Sequence, residues 1–301
     1  MKRLLLFFLL SAACRRHQSP PPSPSASRAD VAARTDPKCT AIAPFYWEIG
    51  DVSGKRESGS VGAEYDANSK MTIASASKWI FGAYVVERAK GDLAAVDTNA
   101  MTMRSGYVGN NLCVVRSNVK RCFEADKNDV RDDAQVGRFH YAGAHFQKYA
   151  VDLGLGALDE SGLAAEMKAK LGAELPIEYA TPLLAGGAET TPTGYALFLR
   201  KILAGKLAIH DALGKNATCT LPGTCPTALS SPAPEAWQYS YGHWVEIDGT
   251  FSSPGLFGFY PWIDAKKSTY GIVARKSRAD KAYWASVECG RAIRNAYLSA
   301  P

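Results

Sequence analysis

Strand-like segments gather at both ends of the globular part of this 301-residue chain, and helix-like segments fill its middle. That layout constrains the fold more than any single residue. Phe45-Tyr46-Trp47-Glu48-Ile49 is rich in aromatic and β-branched residues and predicts a strand. Asp51-Val52-Ser53-Gly54 predicts a turn after it, and a short second strand is expected around 59–63. Near the C-terminus, residues 239–247, 256–263 and 269–275 predict three strands, joined by turns at Asp248-Gly249 and Asp264-Ala265-Lys266-Lys267. A last helix is expected over 282–298. The clearest helices between are 146–151, 162–171 and 193–204, the last opened by Thr191-Pro192-Thr193. The expected architecture is α+β: an antiparallel sheet made from both chain ends, flanked by terminal helices, with a helical subdomain inserted over roughly 92–236.

Residues 1–13 read as an export signal, not as fold. Met1-Lys2-Arg3 is a basic start, and Leu4 to Leu10 is an apolar run too short to span a bilayer. Ser11-Ala12-Ala13-Cys14 follows, a small-residue cleavage site ending in cysteine. It resembles a bacterial lipoprotein signal, in which Cys14 is lipidated and anchors the chain to a membrane; Ser11 stands where Leu is usual. An ordinary secretory signal is the alternative. Either way the mature protein is exported. Residues 14–38, rich in Pro, Ser, Ala and Arg, read as a disordered tether. The globular domain is expected over 39–301.

Charge follows the same division. The chain carries a net +6. Lys2 and Arg3 supply two of those charges and the tether three, so the domain is close to neutral. The basic balance therefore speaks for an arm beside an anionic membrane, not for nucleic acid.

Six cysteines remain after Cys14, an even number in an exported chain. Fifteen pairings are possible. Cys113 with Cys122 and Cys219 with Cys225 each flank a short polar or Pro/Gly-containing loop, which leaves Cys39 with Cys289 to tie the domain's ends. A zinc site is the alternative, but no C-x-x-C or H-E-x-x-H spacing occurs.

The segment richest in chemistry is Ser75-Ala76-Ser77-Lys78, directly before the apolar run Trp79 to Val86. A helix is expected from Ser75 to about Lys90, stopped by Gly91. Residues i and i+3 share a helix face, so Lys78 can reach the Ser75 hydroxyl. A helix N-terminus favours the alkoxide and the oxyanion it makes. Burial lowers an ammonium pKa, so Lys78 can be neutral and act as a base. A serine at that place is also the ordinary helix cap. A second S-x-x-K, Ser117 to Lys120, lies in a polar segment with no apolar helix after it and reads as chance. No G-x-S-x-G elbow exists, and His140, His145 and His243 show no triad or metal spacing.

With Ser75-x-x-Lys78 as anchor, further segments fall in order. They are Met101 to Tyr107, Phe139-His140-Tyr141-Ala142-Gly143, Ala185-Gly186-Gly187 through Leu199, Tyr241-Gly242-His243-Trp244 and Ser253-Pro254-Gly255-Leu256-Phe257-Gly258. From about Phe45 onward the chain resembles the serine β-lactamase and penicillin-binding-protein superfamily, nearest its class C β-lactamase and D,D-peptidase-like branch. The resemblance implies a β-lactamase/transpeptidase-like fold. It makes Ser75 the acylated nucleophile, Lys78 its proton partner and Tyr141 a second general acid/base. It places the oxyanion hole at the amides of Ser75 and Leu256, with Ser253 and Gly255 on the substrate strand. No metal or cofactor is required. Two departures stand out. Gly143 replaces the Asn of the tyrosine motif, and Ser253 replaces the Lys or His of the third motif. Both weaken the case for β-lactam hydrolysis and D-Ala-D-Ala cleavage and leave the nucleophilic set intact.

The expected function is that of an exported serine hydrolase forming an acyl-enzyme on an ester, amide or peptide carbonyl, with a small-molecule or peptide substrate. The alternative is a penicillin-binding-like module that recognises cell-wall peptide without turnover. Trp244, Phe257, Phe259, Tyr260 and Trp262 are expected mainly in the core, with some lining the site.

Overall fold

The computed structural model describes residues 26–109, 113 and 117–299. The signal segment, Cys14 and the first part of the expected tether lie outside the described residues.

The two chain ends do build one sheet. Its strands are β1 (Phe45–Asp51), β2 (Gly54–Val61), β3 (Thr218–Cys219), β4 (Gln238–Ser240), β5 (His243–Val245), β6 (Phe251–Ser252), β7 (Tyr260–Ile263) and β8 (Thr269–Ala274). Their order is β2-β1-β8-β7-β6-β5-β4-β3, antiparallel throughout. The N-terminal hairpin thus joins the C-terminal strands through β1 and β8, with Tyr46 opposite Ala274. A strand in that position is covered on both faces, which is why every residue of β8 is buried. Alternation sends its side chains to opposite layers. Tyr270 receives a hydrogen bond from Arg200 of the helix Pro192–Leu203 at 3.0 Å. Val273, on the other face, lies beside Gly290 of the helix Ala282–Leu298.

Three expectations need correction. The tether is not disordered up to residue 38: helices run over Arg28–Thr35 and Pro37–Thr40. Ser27 caps the first, and its small residues Ala29 and Ala33 are buried where it packs on the C-terminal helix. Alanines contribute little to a hydrophobicity reading, yet they allow close helix approach. The single strand expected over 239–247 is instead the hairpin β4–β5. Tyr241 and Gly242 both have positive φ, +29° and +85°, as a two-residue hairpin turn requires. The strand expected from 256 starts only at Tyr260, because residues 255–258 form a turn closed by the Gly258 amide on the Gly255 carbonyl.

The middle of the chain is helical as expected, with helices Ala144–Asp152, Glu160–Leu171 and Pro192–Leu203. The three cysteine pairs are those expected from proximity: Cys39–Cys289, Cys113–Cys122 and Cys219–Cys225, with Cα separations of 4.6, 4.8 and 5.8 Å. The first fastens the start of the domain to the C-terminal helix. Among the described residues no helix is long and apolar enough to cross a membrane.

Candidate active site

Ser75 sits in a tight 3-10 turn, Ala74–Ala76, that leads directly into the helix Ser77–Arg88. Every residue of that helix from Ser77 to Val86 is buried, so it runs through the middle of the molecule. The turn is conformationally costly: Ala74 has φ +45°. Neighbours hold it. The Tyr195 hydroxyl donates to the Ala76 carbonyl at 2.9 Å, and the Ala188 amide donates to the Ser77 hydroxyl at 3.1 Å. The Ser253 hydroxyl donates to the Ser75 carbonyl at 3.1 Å. Gly255 packs so close to Ile73 that a Cβ there would lie 2.1 Å from the Ile73 carbonyl oxygen. Ser75 is left half-buried at the floor of a cleft.

Lys78 is the second residue of that helix, one turn after Ser75. Its Nζ is 3.0 Å from Ser75 Oγ and 2.7 Å from the Ala185 carbonyl oxygen. Only 4 % of the residue is exposed, and burial pulls its pKa down to about 7. The amine is therefore close to half-neutral at neutral pH, and its lone pair can take the Ser75 proton. The Ala185 carbonyl oxygen is a second acceptor for the Lys78 amine. Gly143 itself only begins the helix Ala144–Asp152.

Tyr141 follows the short strand Phe139–His140, which pairs with Ala228–Ser230, and its amide donates to the Ser230 carbonyl at 3.0 Å. Its ring lies 4.8 Å from Lys78 Nζ and stacks on Trp244 at 5.2 Å. Burial pushes the phenol up to about 12, against hydrogen bonds with Ser75 and Trp244 that favour the phenolate. It is protonated at neutral pH and can donate a proton.

The structure thus brings Ser75, Lys78 and Tyr141 together, with Ser253, Gly255 and Leu256 beside them. Leu256 lines the same cleft as Ser75. Ser253 differs from its expected place on the substrate-facing strand. It is 2 % exposed, and its hydroxyl is engaged by the backbone of Ser75. Trp237, Tyr283 and Trp284 also line the cleft and were not foreseen. Tyr283 and Trp284 open the C-terminal helix and Trp237 precedes β4, so nothing in the sequence joins the two segments.

A serine–imidazole pair exists elsewhere. Ser105 Oγ lies 2.7 Å from His145 Nδ1, and His145 Nε2 faces the His140 carbonyl at 3.0 Å. Nε2 must be the protonated nitrogen, so the ring is held by a backbone oxygen and no carboxylate. Among the described residues no group of three His, Cys, Asp or Glu side chains is placed to hold a metal.

No protein-family profile matches the chain, and no curated protein sequence matches it. Solved structures do match. The D-amino acid amidase from Ochrobactrum anthropi SV3 superposes with a TM-score of 0.65 at 9 % identity, over 91 % of this chain and 99 % of that one. A penicillin-binding protein from Bacillus halodurans gives 0.63 at 12 %, over 85 % and 98 %. A β-lactamase from Mycobacterium bovis gives 0.58 at 14 %, over 85 % and 95 %. The chain has the fold of the serine β-lactamases and penicillin-binding proteins, with its sheet and helices in the arrangement those proteins share.

Proposed function

We propose that the protein is a serine hydrolase that works through an acyl-enzyme on Ser75. The observation that carries this reading is the 3.0 Å contact between Ser75 Oγ and a buried lysine amine whose pKa is near 7. Ser75 Oγ attacks the carbonyl carbon, and its proton passes to neutral Lys78. The bond to the leaving group breaks, and Tyr141, a protonated phenol in contact with the same serine, supplies the leaving group's proton. Tyr141 recovers a proton from the lysine ammonium. Water then attacks the acyl-enzyme by the reverse proton path. The amides of Ser75 and Leu256 hold the oxyanion. Proteins of this fold whose names describe hydrolases, the amidase and the β-lactamase among them, support the same class of reaction.

Rapid mixing with a chromogenic ester tests this. The expected trace is a burst stoichiometric with enzyme, followed by steady turnover, with the acyl mass on the peptide that contains Ser75. A burst without turnover identifies a module that acylates once. An acyl mass on any other residue overturns the assignment.

We propose further that the chain is exported and anchored through lipidated Cys14. The support is the order of basic, apolar and small residues before Cys14, together with three disulfides, which persist in oxidising compartments. Mass spectrometry of the mature N-terminus is expected to find a diacylated Cys14. An unmodified terminus at another residue overturns it.

A further inference from the structure

We propose that the Ser75 cleft accepts an uncharged substrate with a bulky apolar group, an aryl ring above all, close to the scissile carbonyl. This rests on Ser75 being the nucleophile and goes on to say what it attacks.

One wall of the cleft is a continuous row of aromatic rings that starts at the catalytic set. Tyr141 stacks on Trp244 at 5.2 Å, Trp244 meets Trp237 at 5.7 Å, and Trp237 meets Trp284 at 5.4 Å. Pro254 and Leu256 face that row, and Leu256 is 57 % exposed at the mouth. No Asp, Glu, Lys, Arg or His is among the residues lining the cleft, which is continuous with open solvent. The wall is fastened: the Tyr283 hydroxyl, from the C-terminal helix, donates to the Pro232 carbonyl at 2.9 Å.

The two cations in contact with the cleft's own lining residues, Arg291 and Lys78, are not free for a substrate carboxylate; Arg278 and Lys281 lie outside it, in the adjoining exposed pocket. Arg291 packs against Trp237 and Trp284 at 5.3 and 5.5 Å. Its guanidinium is bonded to Glu235 at 3.0 and 2.9 Å and to Glu246 at 3.0 Å, so its charge is compensated. Lys78 is engaged by Ser75 and Ala185. Ser253, where the resemblance expects a cation, is neutral and turned to the Ser75 backbone. A carboxylate entering here would lose its hydration without gaining a partner, which is costly. An aryl group would exchange water for aromatic faces and edges, which attract it beyond plain apolar burial.

The test uses the mature chain and esters of matched reactivity. Burying a phenyl group is worth roughly ten- to a hundredfold in affinity. Methyl phenylacetate is expected to exceed methyl acetate in kcat/KM by at least about tenfold, or benzyl acetate to exceed ethyl acetate, depending on which side of the carbonyl faces the wall. Either aryl ester is expected to exceed methyl hemisuccinate by about a hundredfold. Trp284 is partly exposed, so Trp284→Ala leaves the core filled. It is expected to cut the aryl-to-alkyl ratio by about tenfold, mainly through KM. Equal turnover of the hemisuccinate, or an unchanged ratio in Trp284→Ala, overturns the inference and leaves the nucleophile reading standing. Binding to Ser75→Ala, followed by tryptophan fluorescence, reads the preference without catalysis. Tighter binding of the aryl ester than of the hemisuccinate there upholds the inference even if Ser75 proves not to be acylated. No preference there overturns it.

Discussion

Ser75→Ala is expected to abolish acylation by a serine-reactive phosphonate, and Lys78→Ala to lower kcat/KM by about 10² to 10⁴, the usual share of a general base. Tyr141→Phe falls in the same direction, because Lys78 keeps its place but the leaving group loses its proton donor. The pH profile separates a base from a structural lysine. Burial holds the Lys78 amine near 7, so wild-type kcat/KM rises about tenfold per pH unit below 7 and levels above it. In Lys78→Ala that limb disappears. The same depressed pKa leaves a mark on stability. Between about pH 7 and 10 the unfolded chain holds a proton on Lys78 that the folded chain does not. Lys78 therefore makes unfolding harder as pH rises through that window, and its burial weighs against the fold below it. Lys78→Ala is expected to lose this slope. A Lys78→Ala enzyme with full rate and an unchanged profile would remove the lysine from the mechanism.

The nucleophile was legible because its partners are local. Ser75 and Lys78 need only one helical turn to meet, and the apolar run after them marks the helix as buried. Tyr141 required order along the chain, since nothing near Phe139 announces a contact with residue 75. The C-terminal helix, Ala282–Leu298, was legible to its boundaries. The β4–β5 hairpin was not, because Tyr241 interrupts a strand pattern with a residue that itself favours strands. The turn there lies against the helix Ser77–Arg88, a contact between distant segments of the chain. The aromatic wall was illegible for a related reason. Trp237, Trp244 and Trp284 acquire a shared face only when the segment before β4, strand β5 and the C-terminal helix have assembled. The helix Arg28–Thr35 was hidden by composition, since its contact with the C-terminal helix uses alanines in place of large apolar side chains. The motif put Ser253 beside Ser75 and said nothing of its orientation; its hydroxyl donates to the Ser75 carbonyl. A motif position fixes a Cα, and the carbonyl of Ser75 decides where the hydroxyl points.

Gly242→Ala is expected to damage both stability and rate, through one contact. Gly242 has φ +85°, and a Cβ there would stand 2.2 Å from the Lys78 carbonyl oxygen. Its partner across the gap, Gly82, has the matching problem: a Cβ on it would lie 1.9 Å from the Tyr241 carbonyl oxygen. Two glycines therefore let the β4–β5 turn press against the helix that carries the lysine. The left-handed conformation costs an alanine about 1–2 kcal/mol, and overpacking against rigid backbone about 1–3 kcal/mol more. A loss of about 3 kcal/mol lowers Tm by roughly 6–12 °C in a domain of this size. Gly205→Ala is the control. Its φ is +65° with open space around the new methyl, so it feels the conformational term alone. The two substitutions diverge further in activity. Relief of the overlap at Gly242 moves the Lys78 backbone, and about 1 Å of misplacement in a catalytic group costs on the order of 10² in rate. Gly205 lies after the helix Pro192–Leu203, away from Ser75, and its alanine variant is expected to keep the wild-type rate. Thermal melts and ester kinetics on the two variants decide the matter. If Gly242→Ala matches Gly205→Ala in both, the turn does not position Lys78.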